Sequence, residues 1–314
     1  MLPSQHLPIQ CLIGTSAKLM PITQFIVNGL LVGALFTAVA VGFALIWGVV
    51  DIINLAHGEM VMLGGYSSYW ILSSLTGDAE GSVTLFLATI PLVIAVVFVI
   101  GYALQRILVS RVIGTDIFLT LLVTFGISIA IQQLAIQAWS ANPRAIRILF
   151  TDPSLTAAGI VIPKMKLISF IGAIALTVSL YVLLQRTRTG RAIRAVSQNP
   201  EAAALVGIDV EHTRAVTFGI SSAIASGAGA FIATILNIQP QMGLIYTLKS
   251  FVIVVFGGVG SIPGVFVGGL MLGTVEELTA GLVSSQWTLA VSFSLLIMLL
   301  IVKPTGLFGE ETRQ

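Results

Sequence analysis

The stretch Phe25-Ile-Val-Asn-Gly-Leu-Leu-Val-Gly-Ala-Leu-Phe-Thr-Ala-Val-Ala-Val-Gly-Phe-Ala-Leu-Ile-Trp47 carries no charged side chain, over a length exceeding the ~20 residues that a membrane-spanning helix needs. Comparable runs recur to beyond Leu300, so the apolar character does not belong to a single anchor. Hydrophobic residues are 56% of the chain and charged residues 9%, against roughly 25% charged in an ordinary soluble domain. With a mean hydropathy of +1.03, no water-facing surface can be built from this composition. In hydrocarbon every backbone polar group must be satisfied internally, which leaves helices or closed barrels. Barrel strands alternate apolar and polar residues over about ten positions; these runs do not. The fold class is therefore all-α, a polytopic transmembrane helical bundle.

Spans are expected near Phe25–Trp47, Gly58–Leu75, Leu85–Gln105, Ile117–Trp139, Leu167–Leu184, Ala215–Leu236, Phe251–Gly281 and Thr288–Val302. The Phe251–Gly281 run is too long for one ordinary span. It is interrupted at Phe256-Gly257-Gly258-Val-Gly260-Ser261-Ile-Pro263-Gly264, so about eight to ten spans with interrupted helices are expected. Residues 25–308 read as one integral domain. Residues 1–24 read as an N-terminal extension without the basic and short apolar regions of a secretory signal, expected to be poorly ordered, and 309–314 as a tail. Basic residues favour the cytoplasm in short loops. Arg186, Arg188, Arg191, Arg194 and Arg214 thus mark 186–214 as cytoplasmic; Arg106 and Arg111 agree, and Asp78 and Glu80 fall outside. Arg144, Arg147, Lys164 and Lys166 would also fall outside, against the rule.

A net charge of +2, dispersed over loops, argues against a nucleic-acid partner. Cys11 is the only cysteine, which excludes an intrachain disulfide or a cysteine metal cluster. His57 and Glu59 are spaced by two and so face different sides of a helix, with no second histidine near, so neither a metal nor a cofactor is expected. Gly243-Leu-Ile-Tyr-Thr-Leu248-Lys249-Ser250 approaches a phosphate-binding loop, but Leu248 stands at the essential second glycine. Gly257-Gly258-Val-Gly260 lacks the strand and acidic partner of a dinucleotide loop. No catalytic residue is assigned: the chain reads as a transport subunit, and energy must come from a partner or an ion gradient.

Two polar constellations stand out. Asp51-Ile-Ile-Asn54-Leu-Ala-His57-Gly58-Glu59 wedges ionisable groups between apolar spans, where they must face protein, a water-filled cavity or the interface. They line a polar route, or form an interfacial turn in which Asp51 or Asn54 caps a helix starting near His57 and Glu59 sits in its first turn. A faint internal likeness links this apolar segment broken at glycine to the one at Val252–Gly260, followed by Gly264–Gly269. In the second constellation, Asn199 suits an N-cap, Pro200 the first helical position, Glu201 the positive dipole end and Gly207 a left-handed stop. A short capped helix in a cytoplasmic loop follows, either a docking surface or a solvated connector.

Asn54-Leu-Ala-His57-Gly58-Glu59 with Met60-Val-Met62-Leu-Gly64-Gly65-Tyr66, then Gly190-Arg191-Ala-Ile-Arg194-Ala, Glu201-Ala202-Ala203 with Gly207-Ile, and Phe256-Gly257-Gly258-Val-Gly260-Ser261-Ile-Pro263-Gly264, taken in order, resemble the branched-chain amino acid ABC importer permeases from about Phe25 to Phe308. The resemblance implies a type II ABC importer-like permease of the bacterial inner membrane. It implies a heterodimer with a related permease, two ATP-binding subunits and an extracytoplasmic substrate-binding protein. Substrates would be branched-chain or other neutral amino acids; a close branch carries urea and short amides. By the same resemblance, Pro200, Glu201, Ala202, Ala203 and Gly207 are the ATPase-coupling residues, and Asn54, His57, Glu59, Gly257, Gly258 and Gly260 the translocation-pathway residues. The rival from another class is a self-sufficient channel or secondary transporter built on the broken helices and Glu59.

Overall fold

Each apolar run folds as a helix because the backbone has no other partner in hydrocarbon. The computed structural model describes residues 22–150, 153–157, 160–258, 260–303 and 306–308; the extension before residue 22 and the tail 309–314 lie outside the described residues. Helices run in the order α1 Ile22–Val50, α2 His57–Thr76, α3 Val83–Ile107, α4 Ile117–Trp139, α5 Lys164–Arg186, α6 Arg188–Gln198, α7 Pro200–Leu205, α8 Val210–Ile232, α9 Met242–Gly257, α10 Ile262–Leu282 and α11 Thr288–Val302. Among the described residues seven helices are long and apolar enough to cross a membrane, with α9 as a shorter apolar helix.

Several expected boundaries move, among them the start of α8, at Val210 rather than Ala215. The run expected at Phe251–Gly281 is two helices, and the first begins at Met242, because Gly243, Thr247, Lys249 and Ser250 dilute the apolar signal of its opening turns. Helix α8 stops at Ile232 rather than Leu236: residues 233–236 continue in turns, with Leu236 N–H donating to Ile232 O at 2.8 Å, and Ile238 then pairs with Arg144 through N–H···O bonds of 2.7 and 2.9 Å.

Small residues set the packing. Gly29 and Gly33 of α1 lie against Gly273 and Gly269 of α10 at a backbone separation that leaves no room for a Cβ. Such small-residue contacts drive helix association where no hydrophobic effect acts between helices. Ser221 of α8 donates to Gly42 O of α1 at 2.7 Å, and Gly64 of α2 seats against Ser226. Helices α1 and α8 are accordingly almost wholly buried, while α4 and α11 are mostly exposed to the surroundings.

The two ends of the bundle differ. One gathers Val49, Leu184, Arg194 and Gly260 around a cleft and Asp51, Ile113 and Arg214 around another. The opposite end holds two short sheets: β1 Glu80–Gly81 parallel to β2 Arg147–Ile148, and the hairpin of β3 Ser154–Ala157 with β4 Ile160–Pro163. Basic residues that offended the charge rule are engaged here. Arg147 meets Glu80 at 3.3 Å, Lys166 meets Glu277 at 3.8 Å, and the Arg144 guanidinium lies over the Tyr69 and Trp70 rings at 5.2 and 4.9 Å.

Candidate functional site

Helix α1 ends with Asp51 in the left-handed region (φ 57), a conformation more often given to glycine. The chain then doubles back without helical bonds, so that His57 Nε2 lies 3.0 Å from Val39 O, more than two turns back along α1, and its ring meets Phe43 edge-on. Asn54, His57 and Glu59 are all buried among the helices rather than facing solvent. Capping is only partly as expected. The N-cap is Ala56 with no side-chain bond; Asn54 Oδ1 accepts from Ala56 N–H at 3.0 Å, and exposed Asp51 takes no part.

Two helices hold this segment in place. From α4, Ser128 Oγ donates to Glu59 Oε1 at 2.8 Å, and Thr124 Oγ1 accepts from Leu55 N–H at 3.3 Å. From α9, Thr247 Oγ1 accepts from Gly58 N–H at 2.8 Å and donates to Leu55 O at 3.2 Å. Gly58 lies directly on the carbonyl of Gly243, whose own missing Cβ makes room for the Glu59 carboxylate. Asn54 Nδ2, His57 Nδ1 and Glu59 Oε2 remain buried without a protein partner. A buried polar group in that condition costs about 1–3 kcal/mol, and such groups concentrate where function requires them.

The second broken segment lies at the other end of α9, about 20 Å from Gly243 at 1.5 Å rise per residue. Gly258 (φ 95) and Gly260 (φ 87) provide the left-handed turn, Ser261 Oγ caps α10 by accepting from Gly264 N–H at 3.1 Å, and Gly257 packs on the backbone of Gly264. Leu307 and Phe308 N–H groups donate to Phe256 and Gly257 carbonyls at 2.9 and 3.3 Å, pinning the break. The two sets of expected pathway residues are thus joined through one helix and do not touch. Midway along that helix, Lys249 Nζ donates to Glu276 Oε2 at 2.6 Å and lies 4.3 Å from the Phe36 ring centroid, while Ser292 Oγ donates to Glu276 Oε1 at 3.0 Å.

In the arginine-bearing loop, Asn199 Oδ1 accepts from Ala202 N–H at 2.9 Å, Pro200 opens α7, and Gly207 (φ 86) closes it through Gly207 N–H to Ala204 O at 3.0 Å. Ala203 faces inward and is buried, whereas Glu201 and Ala202 are exposed. The large apolar residues presented outward are Leu205, the last of α7, and Val206, which follows it, 89% and 77% exposed.

The family model for the branched-chain amino acid transport system permease component matches residues 25–302. The chain belongs to this family. It is 32% identical to the high-affinity branched-chain amino acid transport permease BraD of Pseudomonas aeruginosa over 293 residues, covering 91% of this chain and 95% of the relative. The corresponding LivH permeases of Escherichia coli K12 and Salmonella typhimurium are 31% and 30% identical, with the same coverage. As a family member the chain is the multi-pass membrane permease of an importer, and ATP hydrolysis belongs to a separate partner. That removes the self-sufficient channel or secondary transporter as the reading of its broken helices.

Sequence reading missed four members of this permease's polar framework. Ser128 is a hydroxyl inside an apolar run, and Thr247 lies just before one, with nothing local to distinguish either from a helix-packing residue. Lys249 and Glu276 did leave a signal, since an ionisable residue inside a spanning segment is a functional candidate by default. In the sequence Lys249 stands in a stretch that resembles a phosphate loop without its second glycine, and Glu276 lies inside an overlong apolar run.

Proposed function

We propose that this permease forms one half of the translocation pathway of an ATP-driven importer for branched-chain or other neutral amino acids. A related permease completes the pathway, two ATP-binding subunits dock on the arginine-bearing, cytoplasmic end, and a soluble binding protein delivers substrate to the other. The observation that carries this beyond family membership is α7. It is a two-turn helix, capped at both ends and held by the inward Ala203, that presents Leu205 and Val206 outside the bundle. Large apolar side chains so exposed on a charged, non-membrane loop mark a protein contact. Pro200, Glu201 and Gly207 fix the helix ends, and Ala202 belongs to the outward surface. Asn54, His57 and Glu59 line the pathway in its closed state, with Gly257, Gly258 and Gly260 as the break that moves with the ATPases.

Reconstitution tests the reading. Proteoliposomes holding both permeases and both ATPases should take up leucine only with ATP and binding protein present; flux through this chain alone would overturn it. Within that assembly, Glu201→Arg opposes the helix dipole and Gly207→Val forces a β-branched residue to positive φ. Each should lower ATP-coupled uptake by roughly ten-fold or more, the equivalent of about 1.4 kcal/mol of coupling, while membrane insertion is unchanged. Unaltered uptake and ATPase stimulation in both variants would remove α7 as the docking element.

A further inference from the structure

At the end opposite the arginines, a cleft of about 280 Å³ opens between α1, α9, α10 and the start of α5 and is lined by Lys166, Lys249, Glu276 and Glu277, with Phe36 and Ala280 on its walls. Four charges in one cleft among spanning helices are costly, and such groups face one another or a water-filled cavity. Here they do both. Lys249 uses one of three ammonium donors on Glu276 and rests on the Phe36 ring. The Lys166–Glu277 pair, at 3.8 Å, is an ion pair beyond hydrogen-bond reach. A cleft that displays an ammonium and a carboxylate side by side, both with donor or acceptor capacity left, matches one ligand chemistry: a small molecule carrying a carboxylate and an ammonium on adjacent atoms, with an apolar remainder for the wall.

Resting on the amino-acid importer reading, we infer that this cleft is an outer subsite that receives the zwitterionic head of the incoming amino acid. Lys249 takes its carboxylate and Glu276 its ammonium, the two side chains being paired with each other when the cleft is empty. Ser292 holds Glu276 in position through its second oxygen. Ethanolamine phospholipids carry a related zwitterion, an ammonium and a phosphodiester, which the test separates.

The probe is Ala280→Cys, an exposed position on the cleft wall, in a Cys11→Ser background. The assembled transporter is placed in phosphatidylcholine and phosphatidylglycerol liposomes without binding protein, and a membrane-impermeant thiol reagent is added from outside. Because the unliganded fraction is 1/(1 + [L]/Kd), leucine at about ten times its Kd should slow labelling roughly ten-fold. The α-keto acid of leucine, lacking the ammonium, and isopentylamine, lacking the carboxylate, should give no protection, and Glu276→Gln should abolish protection by leucine. Equal protection by all three compounds, or by none, overturns the inference. So does protection that ignores leucine and appears only when phosphatidylethanolamine is added, which assigns the cleft to lipid. If Glu276→Gln fails to assemble, the comparison among the three compounds still decides. An Ala280→Cys assembly that imports leucine with ATP and binding protein, yet shows no protection by leucine, sinks this inference and leaves the importer reading intact; a wild-type assembly that imports no amino acid sinks both.

Discussion

The Asn54–Glu59 segment and the Lys249–Glu276 pair both set polar groups among apolar helices, and they are handled in opposite ways. The first is closed off: glycines at 58 and 243 bring two backbones together over it, and hydroxyls from α4 and α9 hold it, yet three polar atoms are left without a partner. The second lies on a cleft, and both oxygens of its carboxylate have a protein partner. Buried polar atoms without a protein partner are where an internal water or a polar ligand is accommodated. A paired site on a cleft meets a ligand by redirecting two side chains, without moving a helix.

The largest expected effect comes from filling the seal. Gly58→Val places carbon on the Gly243 carbonyl, where backbone lies on both sides and cannot yield. Overpacking of this kind costs about 1–3 kcal/mol and sometimes more. Thermal unfolding of the purified permease should show a clear fall in Tm or loss of folded protein, while Ala280→Val on the open wall should leave Tm nearly unchanged. Equal effects at the two positions would erase the distinction between sealed and open.

Glu59→Gln asks a finer question. It keeps the bulk and still meets Ser128 Oγ, so its cost in stability should be at most about 1 kcal/mol. If Glu59 lies on the route, uptake in the assembled transporter should nevertheless drop several-fold with ATP hydrolysis continuing, because the substitution replaces an ionisable carboxyl by a neutral amide. Normal uptake would leave Glu59 as a packing residue. Smallest is Ser128→Ala, which deletes one hydrogen bond to Glu59 and should cost about 1 kcal/mol or less with uptake close to wild type.

Much of this architecture was legible beforehand because membrane helices announce themselves by length and apolarity, and because the glycine break near 258 and the capped α7 are local signals. The Asn54–Glu59 cluster was legible as a cluster, since its members are neighbours in the chain. Its setting was not: burial against Val39, Ser128 and Gly243 depends on the chain doubling back after Asp51, which no local pattern encodes. The Lys249–Glu276–Ser292 arrangement spans three helices, and only tertiary packing brings it together. Helix α9 was read too short for a related reason, as the residues that make it useful (Gly243, Thr247, Lys249) are those that weaken its hydrophobic signal.

One measurement weighs the sealed segment against the open cleft directly. In the Cys11→Ser background, Asn54→Cys and Ala280→Cys are each built into the complete transporter, and labelling by a small impermeant thiol reagent is followed without nucleotide, with a non-hydrolysed ATP analogue and during turnover. The account predicts that Ala280→Cys labels in every state when substrate is absent, and that Asn54→Cys is silent without nucleotide and reacts once ATP engages the partner subunits. Labelling of Asn54→Cys at rest would contradict the seal. Its silence in all three states, in a transporter that still carries leucine, would contradict the claim that this segment lies on the pathway.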